Sequence, residues 1–197
     1  MTTVCWDGIT MAADTLYVAG TRRMQGDYKK ILLPEGTEWT VEGSPVLAVG
    51  FSGSIATIPQ IKKCLEAGVT HGVNPDVGEY SFTVLMVTDK KDTFYWNYGL
   101  TNKGEVINEL FVVEGNHGIG TGSVYGVGVM AIKGSAIDGT KAGIKIDVNS
   151  GGYIDVWSFD NPRTLRRINP DSGEIVSTEH YPSIPEKTDA ILCAVNG

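Results

Sequence analysis

The 197-residue chain is long enough for one domain with a substantial core. Its formal charge of −7 and pI near 4.9 argue against a nucleic-acid partner, which needs clustered Lys and Arg. No apolar run approaches the roughly 20 residues of a membrane-spanning helix, and Asp7 and Asp14 interrupt any secretory leader.

Thr3–Trp6 and Ile9–Ala13 read as strands joined at Asp7-Gly8, a type I′ hairpin signal. Tyr28–Leu33 and Val46–Phe51 are further strands. From Gly53 to Ala67 the period changes: Ile55, Ile58, Ile61, Cys64 and Leu65 make a helical stripe. Ser52 and Ser54 are candidate N-caps and Gly68 a C-cap, with Pro59 starting or kinking the helix. Strands follow at Ser81–Thr88, Asp92–Tyr98 and about Glu109–Val113. Gly118–Gly122 opens a small-residue helix over Ser123–Lys133, and a second helix spans Ser135–Ile146. Gly151–Phe159 is a strand. Beyond Asn161 the chain is punctuated by proline, with strands predicted at Glu174–Thr178 and Ala190–Val195. Two antiparallel sheets stacked with helices outside, an α+β fold, is the expected outcome.

The usual catalytic patterns are missing from this sequence. His71, His117 and His180 lie in turn-like segments, and no H-E-x-x-H is present. Gly50-Phe-Ser-Gly-Ser54 lacks the last glycine of a nucleophile elbow. The glycines at 118–126 fit neither phosphate-binding pattern. Cys5, Cys64 and Cys193 are few, odd in number and without zinc spacing, which favours a reduced cytoplasmic compartment. Cys5 reads as a small apolar residue of a central strand. The basic pairs Arg22-Arg23 and Lys29-Lys30 and the run 163–167 read as solvated faces, Lys30 excepted.

Thr2 differs from all of these. Its small side chain suits removal of Met1 by methionine aminopeptidase, which would make it the first residue. A free N-terminal threonine then carries a nucleophilic hydroxyl and, in its own α-amine of pKa near ~8, the base that activates it. Thr2-Thr-Val, then Ala12-Ala-Asp14-Thr15, Lys29-Lys30-Ile31, Gly50-Phe-Ser-Gly53, Gly120-Thr-Gly122 and Asp147-Val-Asn-Ser150-Gly151-Gly152 occur in that order over residues 2–158. Together they resemble the motifs of proteasome β-subunits and the HslV-type peptidase, members of the N-terminal-nucleophile (Ntn) hydrolases.

The resemblance implies a four-layer αββα sandwich formed by residues 1–197 as one domain, with about 160–197 a C-terminal extension it does not place. It implies that Thr2 attacks a peptide carbonyl without metal or organic cofactor. Lys30 would stabilise the alkoxide and Asp14 would orient Lys30. The Gly53 N–H, at a helix N-terminus, would donate to the oxyanion, a contribution of roughly 3 kcal/mol. Asp147 and Ser150 would hold the Thr2 amine, with Thr121 (serine in the family), Gly122 and Gly151 in support. Tyr17, Tyr28, Phe51 and Ile55 would line a shallow pocket for small or medium apolar side chains.

Residues 69–80 leave no room for the family's usual second helix, so the outer helical layer on that side should be thin. The implied partners are a peptide or unfolded-protein substrate and further copies of the chain in a homo-oligomer, a ring among the options. Docking of an ATPase is left open by the thin layer. Two other readings stay open: a non-catalytic structural subunit of a ring or larger assembly, and a small-molecule amidase using the same Thr2.

Overall fold

The computed structural model describes residues 2–19, 22–24, 28–132 and 134–182. Met1, Lys133, Cys193 and the strand expected at Ala190–Val195 lie outside the described residues. In chain order the strands are β1 (Val4–Trp6), β2 (Thr10–Asp14), β3 (Tyr17–Ala19), β4 (Arg22–Met24), β5 (Ile31–Leu32), β6 (Thr40–Val41) and β7 (Ser44–Gly53). Then come β8 (Phe82–Thr88), β9 (Thr93–Leu100), β10 (Val106–Val113), β11 (His117–Ile119), β12 (Ile154–Ser158), β13 (Asn161–Ile168) and β14 (Ile175–His180). The helices are α1 (Ile58–Ala67), α2 (Ser123–Ala131) and α3 (Ala136–Ile146).

Among the described residues, two largely antiparallel sheets and three helices make a mixed α+β fold. One sheet runs β11-β1-β2-β12-β13-β14 and the other β10-β9-β8-β7-β5, with β6 also on β7; β3 and β4 pair with each other in a separate two-stranded ribbon. The central strands are apolar at consecutive positions because both faces are buried. In β8, Val84 and Met86 point into a cluster with Ile61 and Leu65 of α1, while Leu85 and Val87 join Val4, Trp6, Met11 and Trp157 of the other sheet. In that other sheet, Cys5, Ala12, Ile154 and Val156 turn the opposite way, onto Met130 of α2 and Ala136 of α3. Cys5 is fully buried there and its thiol is pushed up to about 12, chiefly by desolvation, so it is core and not a nucleophile.

Several local details differ from the sequence expectation. The β1–β2 turn is closed by Asp7 N–H donating to Thr10 C=O at 3.2 Å, and Gly8 has φ +93° while Ile9 does not enter positive φ. That departs from type I′, which needs positive φ at both central residues and which β-branched Ile9 resists; Asp7 Oδ1 instead accepts from the N–H groups of Ile9 at 3.0 Å and Thr10 at 2.7 Å. The strand expected at Tyr28–Leu33 shrinks to two residues. A 3₁₀ turn at Ile55–Thr57 precedes α1, and Pro59 occupies the first turn of α1, where its missing N–H is not needed. Ser52 lies inside β7, and Ser54, though at the cap position, makes no side-chain cap bond. Gly118 and Ile119 end a strand and do not open α2.

β13 was hidden by Pro162 and the run of arginines. That run is not a solvated face throughout: Arg167 holds the buried Asp155 through two bonds, Nε to Oδ1 at 2.7 Å and Nη2 to Oδ2 at 3.0 Å. β14, at the sheet edge, and the Tyr181 beyond it return toward the N-terminal half. Glu179 meets Lys29 Nζ at 2.5 Å and Tyr181 Oη lies 3.3 Å from the same ammonium. Residues 68–81 form turns without a helix, so α1 alone covers its side of the second sheet among the described residues.

Candidate active site

The start of the chain is stitched into the first sheet by Asp14. Its N–H donates to Thr3 C=O at 3.1 Å, and its Oδ1 accepts from Thr3 N–H at 2.7 Å. The same oxygen accepts from Thr2 Oγ1 at 3.3 Å and from Lys30 Nζ at 2.8 Å, while Oδ2 accepts from Gly151 N–H at 3.0 Å. Thr2, Asp14 and Lys30 are 2%, 0% and 7% exposed, so these charges meet away from bulk water. Burial pushes the Lys30 ammonium below the ordinary lysine range, and Asp14, by charge and hydrogen bond, pulls it back only part of the way. Such a lysine gives up its proton more readily than one in water.

β7 brings up the opposite wall. Phe51 N–H donates to Lys30 C=O at 2.7 Å on the β5 side, and Ser54 N–H donates to Ser81 C=O at 3.2 Å on the β8 side. Ladder alternation therefore turns the Gly53 N–H toward the β5 side, where Thr2 and Lys30 stand. Gly53 ends a strand and precedes a 3₁₀ turn, so the aligned dipole of an α-helix is not directly behind it. Its φ of +138° and the Ser81 carbonyl 2.6 Å from a would-be Cβ leave room for no side chain.

A pocket of about 310 Å³, partly open to solvent, lies between these walls. It is lined by Thr2, Lys30 and Gly53, by the four expected residues Tyr17, Tyr28, Phe51 and Ile55, and by Lys29 and Ser52. The rings of Tyr17 and Tyr28 pack at 4.6 Å and narrow it. Lys29 and Ser52 escaped the sequence reading because they flank recognised residues in extended segments, where neighbours point to opposite sides.

The remaining expected residues form a second group. Thr121 Oγ1 donates to Asp147 Oδ2 at 2.6 Å, Ser150 Oγ donates to the same oxygen at 2.9 Å, and Asn149 N–H donates to Oδ1 at 3.0 Å. Burial works to raise the Asp147 pKa, but these hydrogen bonds outweigh it and hold the carboxyl below its ordinary value. Ser150 Oγ also meets Thr3 Oγ1 at 2.7 Å, and Gly122 N–H donates to Thr2 C=O at 3.2 Å. The two groups thus meet through Thr2 and Thr3. Thr3 is the participant the sequence reading missed, although its pairing with Thr2 in one motif was visible.

The Asp147 bonds have a measurable consequence. A carboxyl whose folded pKa is lowered contributes stability that is present above its unfolded value, near 3.8, and lost as pH falls through the folded value. Asp147→Asn should therefore lose less stability than the wild type on acidification below pH 3.8. Melting temperatures across that window check this, and parallel curves would refute it.

No family model matches this chain, and no curated protein matches it. Among solved structures, BPH from Thiobacillus denitrificans in complex with epoxomicin is 18% identical, with a TM-score of 0.48 over 80% of this chain and 97% of that one. The helical assembly of the Anbu complex from Pseudomonas aeruginosa is 14% identical, with a TM-score of 0.48 over 80% of each chain. Anbu (ancestral beta-subunit) from Yersinia bercovieri is 14% identical, with a TM-score of 0.47 over 80% and 81%. No helix among the described residues is long and apolar enough to cross a membrane.

Proposed function

We propose that the chain is a threonine-type peptidase of the Ntn-hydrolase class, proteasome-like and HslV-like, with Thr2 as nucleophile once Met1 is removed. The observation that carries this reading is the convergence of Thr2 Oγ1 and Lys30 Nζ on one buried Asp14 oxygen, at the wall of a pocket. The three apolar clusters support the four-layer αββα arrangement of a single domain, with its helical layer reduced to α1 on one side.

In this reading the Thr2 α-amine takes the hydroxyl proton as Oγ1 bonds to the substrate carbonyl carbon. Lys30 lowers the cost of the forming alkoxide, and the Gly53 N–H faces the oxyanion. The amine returns the proton to the departing nitrogen as the C–N bond breaks, leaving an ester on Thr2. Water, deprotonated by the same amine, then releases the acid and restores Thr2. The pocket, narrowed by Tyr17 and Tyr28, suits small or medium apolar side chains of a peptide or unfolded protein.

We place the protein in the cytoplasm as a homo-oligomer. Cys5 and Cys64, free among the described residues, support the compartment, and Val124, Tyr125 and Ile132, exposed on or beside the charge-free α2, support assembly.

Intact mass spectrometry after incubation with a peptide epoxyketone tests the site, because the reagent needs a free N-terminal amine and the adjacent hydroxyl. The expected result is loss of Met1 and one adduct, absent in Thr2→Ala. Retained Met1 without adduct would instead favour a structural subunit.

A further inference from the structure

Thr3 is fully buried, yet its hydroxyl lies in a space that only glycines leave open. A Cβ on Gly122 would fall 1.9 Å from Thr3 Oγ1, and one on Gly143 would fall 2.5 Å from it. The direction of the bonds follows from counting protons. An ionised Asp147 can only accept, so Ser150 spends its single hydroxyl proton on Asp147 Oδ2. The 2.7 Å bond between Thr3 Oγ1 and Ser150 Oγ must then be donated by Thr3.

We propose that the Thr3 hydroxyl is a positioning group that locks the Ser150 rotor by the relay Thr3 → Ser150 → Asp147, leaving Ser150 Oγ able only to accept toward the Thr2 end of the site. This rests on the reading of Thr2 as nucleophile.

Two further bonds make Thr3 suited to the task. Its N–H and C=O are both taken by Asp14, so the relay is referenced to the same residue that holds Lys30 and Thr2 Oγ1. Donation by Thr3 polarises the Ser150 hydroxyl and strengthens its bond to Asp147. It also occupies a lone pair of Ser150, so that if Ser150 holds the Thr2 amine as the family resemblance implies, it accepts less strongly from the protonated amine. Without it, the amine stays charged to higher pH and the base needed for attack is scarcer at neutrality. The titratable groups facing this region are Asp14 from β2, Lys29 and Lys30 ahead of β5, Asp147 after α3, and Tyr17 and Tyr28 across the pocket. None of them is changed by substitution at position 3.

The decisive comparison is Thr3→Ala against Thr3→Ser, two variants that both lack the methyl and differ only in the hydroxyl. Epoxyketone labelling rates are measured by intact mass spectrometry from acid to neutral pH, with melting temperatures recorded in parallel. Thr3→Ser should label within about 2-fold of wild type. Thr3→Ala should label about 3-fold more slowly at neutrality, the most that an upward displacement of its acid limb by about half a pH unit produces. Thr3→Val against wild type repeats the comparison if the alanine variant does not fold. Equal rates and superimposed limbs for Ala and Ser would reduce Thr3 to packing while leaving the Thr2 reading intact. A folded wild type that never labels, with Thr2 exposed as the first residue, would overturn both.

Discussion

Lys30→Met should slow adduct formation at Thr2 by about 10³-fold and lower the unfolding free energy by about 3 kcal/mol. The stability loss arises because methionine fills much of the same space but leaves Asp14 charged and fully buried without its cation. Removing one partner of a buried pair costs about 3–5 kcal/mol; the lower end applies because Asp14 keeps bonds from Thr3, Thr2 and Gly151. The rate loss, on the order of 10³-fold, follows from losing the positive charge beside the forming alkoxide. Adding Asp14→Asn separates the two effects. The double variant should recover part of the stability, because no uncompensated charge remains, and none of the reactivity. Denaturant titration and epoxyketone labelling read the two quantities. A single variant as stable and as reactive as wild type would remove Lys30 from the site.

Gly122→Ala is the second large effect, and it tests space and not charge. The residue has φ −84°, an ordinary conformation for alanine, so any cost comes from the added methyl. That methyl would sit 1.9 Å from Thr3 Oγ1 and 2.9 Å from Ser150 Oγ. Neither neighbour can retreat, since both are buried and tied to Asp14 or Asp147. Overpacking of this kind costs about 1–3 kcal/mol, and the upper end is expected here. Displacing Thr2 and Thr3 by part of an ångström should slow labelling by about 10²-fold. Gly128→Ala on the same helix is the control, because its Cβ meets nothing within 4 Å. It should be neutral or stabilising by up to about 1 kcal/mol, as expected for glycine replaced inside a helix. Equal melting temperatures for the two alanine variants would contradict the packing described around Thr3.

Much of the fold was legible because its strands and helices carry strong periodicity. β7, β8 and β9 are long apolar runs, and α3 falls within the helical stretch expected at Ser135–Ile146. The weakly patterned parts were misread. β13 has Pro162 and three arginines among its eight residues, a composition that reads as loop. Only its position beside β12, where Asp155 neutralises Arg167, makes that composition tolerable in a sheet. Tyr17, Tyr28, Phe51 and Ile55, which the resemblance names for a substrate pocket, line one cavity together with Lys29 and Ser52, which had no signal of their own.

The sequence by itself determined which segments alternate, which faces are apolar, and that Thr2, Asp14, Lys30 and Ser150 stand in a motif order suggestive of one site. Local pattern encodes period and polarity, and these need no knowledge of distant residues. Tertiary structure alone decided that Thr2, Thr3 and Lys30 share a single Asp14 oxygen, and that Ser150, 147 positions away, is bonded to Thr3. Those bonds depend on strand order and on one buried rotamer at each residue. Neither is written in the spacing of residues along a chain.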